Sequence, residues 1–475
     1  MRKRILVPIS LVVTVLLALI AVSPALSHDP EPSGAAFLLG LDSSAEETSG
    51  GPNVHSHNSP HLHSQNMHFM ANIPSLGPTN SDLAFWGDLA FAGNYGGFRV
   101  IDISAPGNPK VIANVICPGP QNDVSVWENI LILSIDQVRT KPTCDSAVAV
   151  PQTLETGWEG LRIFDVSDPA NPQYVTSVYT ACGSHTHTTI PDLAHNRLLV
   201  YISSYPLRSG PDCGPHDDPT DTHDPLHRKI SIVEIPLGNP AAAHVLATPA
   251  IDVPTFDLLS NAFPGVFNPM QGCHDIQFNL THMLAATACG SVGQVWDISN
   301  PANPNTLNPL WKVDQPQVQF YHSALFSEGG DTVIFGDEII FGSCDDGTGS
   351  GQLWFHDRMT GATQSSFQIP RPQPGQYCSS HLFINIPGVR GDVLVASWYA
   401  GGTIAVDYTN RSAPTEIGYY DPANGLVWSS YWYNNFIYAN DIVRGVDVFL
   451  FSDNARAGAQ RLDHLNPQTQ EALLP

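Results

Sequence analysis

Four histidines stand at the start of short apolar segments that have the length and composition of β-strands. Imidazole is neutral near pH 7 and is a common protein ligand for zinc and copper. Three or four imidazoles around an open coordination position form a typical catalytic metal site. The segments begin with His187-Thr188-Thr189-Ile190, His274-Asp275-Ile276-Gln277, His322-Ser323-Ala324-Leu325 and His381-Leu382-Phe383-Ile384. If the fold brings these segments side by side, the histidines form one site for a copper or zinc ion.

Further polar residues lie close to these histidines or at the ends of neighbouring predicted strands. They can hydrogen-bond a metal-bound histidine or act as a base. The set comprises His185, Asp337, Glu338 and Asp441. Simpler interpretations stay open, because the histidines can hydrogen-bond neighbouring strands without a metal and such carboxylates more often cap turns.

Two other segments are also rich in histidine. The first contains His55, His57, His61, His63 and His68. It either caps the metal site and donates a ligand or forms a solvated arm, and we favour the arm. The second is the insertion at 212–227, which is rich in aspartate but lacks the ligand spacing of an EF-hand. An exposed acidic loop is the preferred interpretation there.

A repeated phrase defines the elements that must position the histidines. It is an apolar strand that ends near an acidic residue and is followed by a turn rich in proline and asparagine. Clear copies lie at 98–109, 161–172 and 293–304, and weaker copies lie at 229–235, 351–357, 403–407 and 445–449. Seven copies of one unit indicate a single closed repeat array rather than several separate domains.

Each copy has a pair of strands before it and one strand after its turn, which makes four antiparallel strands per repeat. In a β-propeller such sheets stack around a channel and are apolar on both faces because each packs between two neighbours. The sequence therefore predicts an all-β fold, a seven-bladed β-propeller of four-stranded antiparallel blades. The first strand of each blade lines the channel, so the four histidines should meet at one mouth.

The phrases at 98–109, 161–172 and 295–304 resemble the LVIVD-repeat family of secreted β-propeller proteins, over about residues 80–453. The resemblance implies the propeller fold and leaves the function open. At the level of the fold alone, the histidines are similar to those that bind copper in the selenium-binding protein and methanethiol oxidase propellers. No segment matches those proteins well enough to transfer their activity.

The N-terminus predicts export. Residues 1–27 combine three basic residues, an apolar stretch and small residues before a cleavage point, as a signal peptide does. We expect a flexible histidine-rich segment at 28–69, one propeller at 70–455 and a polar C-terminal tail at 456–475. The mature protein is then secreted, extracellular or periplasmic, and has no membrane span. Retention of the N-terminal segment as an anchor is the less favoured alternative.

Charge and motifs limit the function classes. With 20 basic and 44 acidic residues, the formal net charge is −24, which disfavours nucleic acid and anionic lipid as partners. No motif for a serine nucleophile, a nucleoside phosphate or a dinucleotide is present. We expect a channel-mouth site for a small ligand or a protein partner, with a histidine-bound metal. A copper-dependent oxidoreductase using the same histidines and a structural or adhesive scaffold without a small-molecule site are the alternatives.

The eight cysteines of an exported chain predict disulfides. Their places relative to the predicted strands pair them in sequence order, as Cys117–Cys144, Cys182–Cys213, Cys273–Cys289 and Cys344–Cys378. Each bridge closes a loop of about 15 to 35 residues and stabilises the fold by about 3 kcal/mol. Non-reducing peptide mapping should find four linked peptides with these partners. Free thiols at Cys273 or Cys378 would instead favour cysteine as a copper ligand.

Overall fold

Seven antiparallel sheets form the blades of a β-propeller in the computed structural model of the protein. The structure describes residues 62–152, 155–204, 210–213, 226–342, 347–371 and 377–467. Each sheet has four or five strands in these ranges, and its strands follow one another in space much as they do in the chain. The predicted fold class is confirmed.

The strands are grouped by blade as follows. Two strands precede blade one, β1 (Leu62–His63) and β2 (Met67–Pro74). Blade one contains β3 (Asn80–Trp86), β4 (Leu89–Asn94), β5 (Gly97–Asp102) and β6 (Lys110–Ile116). Blade two contains β7 (Gln121–Trp127), β8 (Ile130–Arg139), β9 (Trp158–Asp165) and β10 (Gln173–Tyr179). Blade three contains β11 (Thr186–Asp192), β12 (Arg197–Ser203), β13 (Ser231–Pro236) and β14 (His244–Ala247).

The remaining blades repeat this order. Blade four contains β15 (Asp275–Asn279), β16 (Leu284–Ala288), β17 (Gly293–Asp297) and β18 (Trp311–Val313). Blade five contains β19 (Tyr321–Phe326), β20 (Thr332–Asp337), β21 (Leu353–Asp357) and β22 (Thr363–Phe367). Blade six contains β23 (Phe383–Asn385), β24 (Val393–Ser397), β25 (Thr403–Asp407) and β26 (Thr415–Asp421). Blade seven contains β27 (Val427–Tyr433), β28 (Phe436–Asp441) and β29 (Gly445–Phe451), and β30 (His464–Leu465) follows it.

Helical structure is sparse in the described ranges. One α-helix, α1 (Leu258–Ala262), lies in the connection between blades three and four. Short 3₁₀ turns lie at Leu193–His195, Pro240–Ala242 and Asn454–Arg456. None of the described helices has the length and apolar character needed to cross a membrane.

The aspartate of the repeated phrase ends the third strand of its blade. The carboxylate of Asp102 accepts a hydrogen bond from the backbone N–H of Ser104 at 2.9 Å. Asp165 and Asp297 accept the equivalent bond from the residue two positions further on, at 2.8 Å in both cases. An aspartate that bonds the backbone two residues on starts a turn. The repeat therefore marks the same strand end in blades one, two and four.

Both faces of the blades are buried. In β5 the neighbours Val100 and Ile101 point to opposite faces, and both side chains are fully buried. Val100 packs in the core shared with blade two, and Ile101 packs in the core shared with blade seven. This double burial explains why the repeats read as continuous apolar runs rather than as alternating ones.

The ring closes through its N-terminal strand. β2 pairs antiparallel with β29 and supplies the outer strand of blade seven. Blade seven has no fourth strand after β29 in the described residues, and β2 completes it. The backbones of β2 and β29 approach closely at Gly445. Its φ is +98°, and a Cβ atom there would lie 2.1 Å from the carbonyl oxygen of Ile73. β30 adds to β3, so the C-terminal segment also returns to the first blade.

Three of the four predicted disulfides are confirmed. Cys117–Cys144, Cys182–Cys213 and Cys273–Cys289 are bonded, across sequence separations of 27, 31 and 16 residues. The fourth predicted pair involves Cys344, which lies outside the described residues. Most of the proposed signal peptide and N-terminal segment, residues 1–61, lies outside them as well.

Removal of β2 should destabilise the propeller, because it leaves β29 as an unpaired edge. We expect a chain that begins at residue 75 to melt roughly 10 °C or more below the parent, since each kcal/mol shifts the Tm of a large domain by a few degrees. A chain that begins at residue 62 is the matched control and should melt close to the parent. Differential scanning calorimetry measures both. Equal melting temperatures for the two truncated chains would contradict a role for β2 in closure.

Candidate metal centre

Three histidines occupy the same position at the channel mouth. Each stands one or two residues before the innermost strand of its blade: His185 in blade three, His274 in blade four and His381 in blade six. Each backbone N–H donates to the last residue of the adjacent second strand, namely Ser203, Ala288 and Ser397, at 2.9, 2.8 and 3.1 Å. His322 lies in β19, at a shift in register between Tyr321 and Ser323. Because the four blades are consecutive, their inner strands bring these imidazoles together.

His187 lies outside this group of four rings. Its Nε2 atom lies 2.6 Å from Ser125 Oγ and its Nδ1 atom lies 2.7 Å from Ser134 Oγ. Both ring nitrogens are therefore engaged by hydroxyl groups. His185 takes the place that the sequence assigned to His187, two residues earlier on the same strand face. A rise of about 3.3 Å per residue puts His187 about 7 Å further along the channel.

The four clustered imidazoles form a continuous row. Ring centroids are 4.5 Å apart for His185 and His274, 3.7 Å for His274 and His322, and 4.2 Å for His322 and His381. All four side chains are buried. The Nε2 atoms of His185 and His274 lie only 2.8 Å apart. We name these four residues the histidine row.

One carboxylate joins the row. A ligand atom from each of His322, Glu338 and His381 can be chosen so that all three atoms lie within 4.8 Å of one another. His322 Nε2 and Glu338 Oε2 are separated by 3.6 Å. Two imidazoles and one carboxylate make up the ligand set of many catalytic zinc sites. Among the described residues, this is the group whose spacing could hold a metal ion.

Backbone carbonyl groups orient two of the rings. His381 Nδ1 lies 2.5 Å from the carbonyl oxygen of Trp428, and His274 Nδ1 lies 2.9 Å from that of His322. A carbonyl oxygen only accepts, so both Nδ1 atoms carry the hydrogen. The Nε2 atoms of the neutral rings then present lone pairs. Metal-binding histidines are typically held in this way.

The three carboxylates named by the sequence have different environments. Asp337 accepts bonds from the backbone N–H groups of Gln319, Phe320 and Gly351. Asp441 accepts bonds from those of Leu426, Val443 and Arg444. Asp441 therefore caps the turn that follows its own strand, whereas Asp337 links backbone segments that lie 14 to 18 residues away in the chain. Glu338 is the carboxylate that reaches the histidine row.

Burial dominates the electrostatics of the site. It lowers the pKa of His274 and of His322 well below the ordinary value, and the neighbouring histidines lower both further. Burial lowers the pKa of His381 to about 3 and raises that of Glu338 to about 7. These three imidazoles are therefore neutral at pH 7. Neutral imidazole is the form that binds metal ions.

An apolar cap covers the mouth. The ring of Phe320 lies 5.6 Å from His274 and 6.2 Å from His322. It packs with a buried cluster from the segment that contains α1, formed by Phe256, Leu259, Phe267 and Met270. Asp337 helps to place Phe320 through the backbone bond described above. The cap limits the access of water to the histidine row.

The C-terminal segment closes the opposite end of the channel. The side-chain amide of Asn466 exchanges two hydrogen bonds of 2.7 Å with the backbone of Val126 in β7. The carbonyl oxygen of Pro467 accepts a bond from the Gln277 side chain in β15. Val126 is the next-to-last residue of β7, and Gln277 is the middle residue of β15, so both contacts lie beyond the strand starts that are near the row. The site therefore lies at the capped mouth, away from the C-terminal segment.

Sequence reasoning missed two contributors to this site. Asp136 Oδ2 lies 2.6 Å from His185 Nδ1, and Tyr399 donates its hydroxyl to Glu338 at 2.7 Å. Asp136 lies within β8, and Tyr399 follows β24. No local motif marks either residue. Tyr399 lies shortly after the second strand of its blade, a position that many residues share, and Asp136 lies inside such a strand.

The two described histidines of the N-terminal cluster, His63 and His68, lie on outer strands, away from the histidine row. His63 stacks on Tyr420 in the outer strand β26, with ring centroids 5.8 Å apart. His68 Nε2 lies 2.9 Å from Ser452 Oγ. Residues 55–61 and 214–225 lie outside the described residues.

Comparison with known proteins agrees with the fold. A model of the LVIVD repeat matches residues 79–116 and 156–180, which include the third strands of blades one and two. The chain therefore carries LVIVD repeats, and the predicted resemblance to this family is confirmed. No curated protein matches the sequence.

Two solved structures are similar in shape. One is the computationally designed protein Ika8, with 12% identity, a TM-score of 0.45 and coverage of 81% of this chain and 99% of that chain. The other is a candidate 6-phosphogluconolactonase from Bacteroides fragilis, with 11% identity, a TM-score of 0.45 and coverage of 80% of this chain and 98% of that chain. Neither likeness bears on activity.

Buried neutral imidazoles should make the metal-free protein sensitive to acid. An unfolded histidine titrates near pH 6.5, whereas His381 has a pKa of about 3 in the folded protein. Between these values the unfolded chain binds one proton more at this position, so the free energy of unfolding falls as the pH is lowered. His274 and His322 act in the same direction. Glu338 acts in the opposite direction between about pH 4.3 and 7, because its pKa is raised in the folded protein.

His381→Gln should therefore reduce the slope of unfolding free energy against pH by about 1.4 kcal/mol per pH unit between about pH 4 and 6. Urea denaturation of metal-free protein across this range measures the slope. His195→Gln is the control, since the side chain of His195 is largely exposed. An unchanged slope in His381→Gln would show that the folded protein does not keep this ring neutral.

Proposed function

We propose that this LVIVD-repeat propeller is an exported protein that holds a divalent transition-metal ion at the capped mouth of its channel. His322, His381 and Glu338 are the proposed ligands. The observation that carries the proposal is the convergence of their three ligand atoms, from two successive blades, within 4.8 Å at a buried position.

The donor set fits such an ion. His381 presents Nε2, since its Nδ1 donates to Trp428. Glu338 adds one anionic oxygen, which offsets part of the charge of a divalent ion. Two imidazoles and a carboxylate are the protein ligands of many catalytic zinc sites, and zinc in such sites can expand to five-coordinate when a further ligand joins. A zinc ion held there would act as a Lewis acid toward a small ligand or toward a donor group of a protein partner.

The other half of the histidine row lies next to this position. The Nε2 atoms of His185 and His274 lie 2.8 Å apart, and the side-chain amide nitrogen of Gln121 lies 2.6 Å from His185 Nε2. The His274 ring lies 3.7 Å from the ring of His322, centroid to centroid. His274 is therefore the proposed fourth ligand. His187 is omitted from the ligand set because hydroxyl groups engage both of its nitrogens.

Export is part of the proposal. The three disulfides are compatible with an oxidising compartment. Residues 1–27 have the features of a signal peptide. A secreted or periplasmic protein is in contact with extracellular small ligands and partner proteins. A metal centre at the channel mouth could bind a small ligand or a donor group of a partner protein.

Protein exported into metal-replete medium should retain about one equivalent of zinc or copper after desalting, as counted by elemental analysis. The double variant His322→Ala/His381→Ala should lose that ion, because one carboxylate and one remaining ring bind weakly. His187→Gln should keep it, and the circular dichroism spectrum should show that all variants fold.

Loss of the ion from His187→Gln but not from the double variant would refute the proposed ligand set. An unmodified protein that retains no ion and takes up neither Zn²⁺ nor Cu²⁺ in titration would favour the scaffold alternative. Retention of copper in preference to zinc would favour the copper oxidoreductase alternative.

A further inference from the structure

The two carboxylate oxygens of Glu338 have different surroundings. Oε1 accepts a hydrogen bond from the hydroxyl of Tyr399 at 2.7 Å and a longer one from Tyr377 at 3.4 Å. Oε2 is the oxygen that faces His322, at 3.6 Å from Nε2. The tyrosines thus engage one oxygen and leave the other turned toward the histidine row.

Both tyrosines are themselves held firmly. The backbone of Tyr399 adopts a positive φ of +41°, which is unusual for a residue with a side chain. Its carbonyl oxygen accepts bonds from the N–H groups of Gly402 and Val427, at 3.0 and 3.1 Å. The hydroxyl of Tyr377 also donates to the carbonyl oxygen of Ile339 at 2.8 Å. Residues kept in rare conformations cluster at functional sites.

Tyr399 also reaches the proposed ligands directly. Its ring lies 4.6 Å from the ring of His381 and 4.7 Å from that of Tyr377. The side chain is almost fully buried. It therefore contacts one ligand with its ring and holds another with its hydroxyl, and its own backbone is fixed by two hydrogen bonds.

We propose that Tyr399, assisted by Tyr377, is a positioning residue that keeps Glu338 as a ligand through a single oxygen and so selects a divalent ion such as Zn²⁺ over Cu⁺. An anionic oxygen is a hard donor that favours divalent ions, whereas imidazole nitrogens also suit copper. Two imidazoles can hold Cu⁺ without help from the carboxylate. The inference rests on the proposed metal site and names what gives that site its selectivity.

The test compares the affinities of the protein for Zn²⁺ and for Cu⁺, each measured by competition with a chelator. The Cu⁺ measurements are made in the absence of oxygen. Tyr399→Phe should weaken Zn²⁺ binding about 10- to 100-fold, the usual effect of removing a residue that orients a metal ligand. Its affinity for Cu⁺ should stay close to that of the parent. Tyr377→Phe should have a smaller effect of the same kind, because its bond to Glu338 is longer.

The control is Tyr408→Phe, which also removes a buried hydroxyl from blade six. That hydroxyl donates to Asn385 at 2.6 Å, in the core of the propeller. Tyr408→Phe should leave both affinities unchanged. The absorption spectrum of bound Co²⁺ should change in Tyr399→Phe and not in Tyr408→Phe, since it reports on the ligand geometry.

A double-mutant cycle separates positioning from a general structural effect. If Tyr399 acts through Glu338, Tyr399→Phe should have little further effect on Zn²⁺ binding in a Glu338→Gln background. Equal losses of Zn²⁺ and Cu⁺ affinity, or additive losses in the double variant, would overturn this inference while leaving the metal site in place. A parent protein that binds neither ion would overturn the proposed function itself.

Discussion

The pairing of β2 with β29 is the interaction on which the rest of this structure depends. A propeller blade buries both of its faces only when a neighbour stands on each side, so an open array would expose the apolar faces of blades one and seven. The N-terminal strand prevents this by completing the last blade with residues from the start of the described chain. At the C-terminal end, β30 pairs with β3 and Asn466 bonds β7. Both chain ends therefore restrain the ring.

A closed ring brings the innermost strands together, and that creates an unusual environment for polar residues. The innermost strands of the seven blades converge on one channel. A polar residue that recurs at the same position in several of these strands therefore forms a buried cluster. The histidine row arises in this way at one mouth. Three aspartates, Asp82, Asp123 and Asp275, arise in the same way further along the channel, where burial and mutual repulsion raise the pKa of Asp82 well above its usual range.

Burial also determines the chemistry of the histidine row. In water these imidazoles would be partly protonated at mildly acidic pH and would repel a metal cation. In the propeller, desolvation disfavours the charged form of His274, His322 and His381, and backbone carbonyl groups fix the tautomer of His274 and His381 in which Nδ1 carries the hydrogen. The apolar cap around Phe320 strengthens this effect, since it excludes water from the same volume. The fold thus keeps these three rings neutral mainly through burial.

The amino-acid sequence determined the repeat, the blade number and three of the disulfides, because these depend on local patterns. Apolar runs that end in aspartate recur at the third strand of five of the seven blades, and cysteine spacing follows the strand order. Three members of the histidine row, His274, His322 and His381, were also predicted, since each lies at or near the start of an innermost strand. Tertiary structure alone decided between His185 and His187, because a shift of two residues leaves a side chain on the same strand face. It likewise separated Asp337, which bonds the backbone of neighbouring segments, from Glu338, which reaches the row: adjacent residues at a strand end take their roles from the hydrogen bonds that surround them.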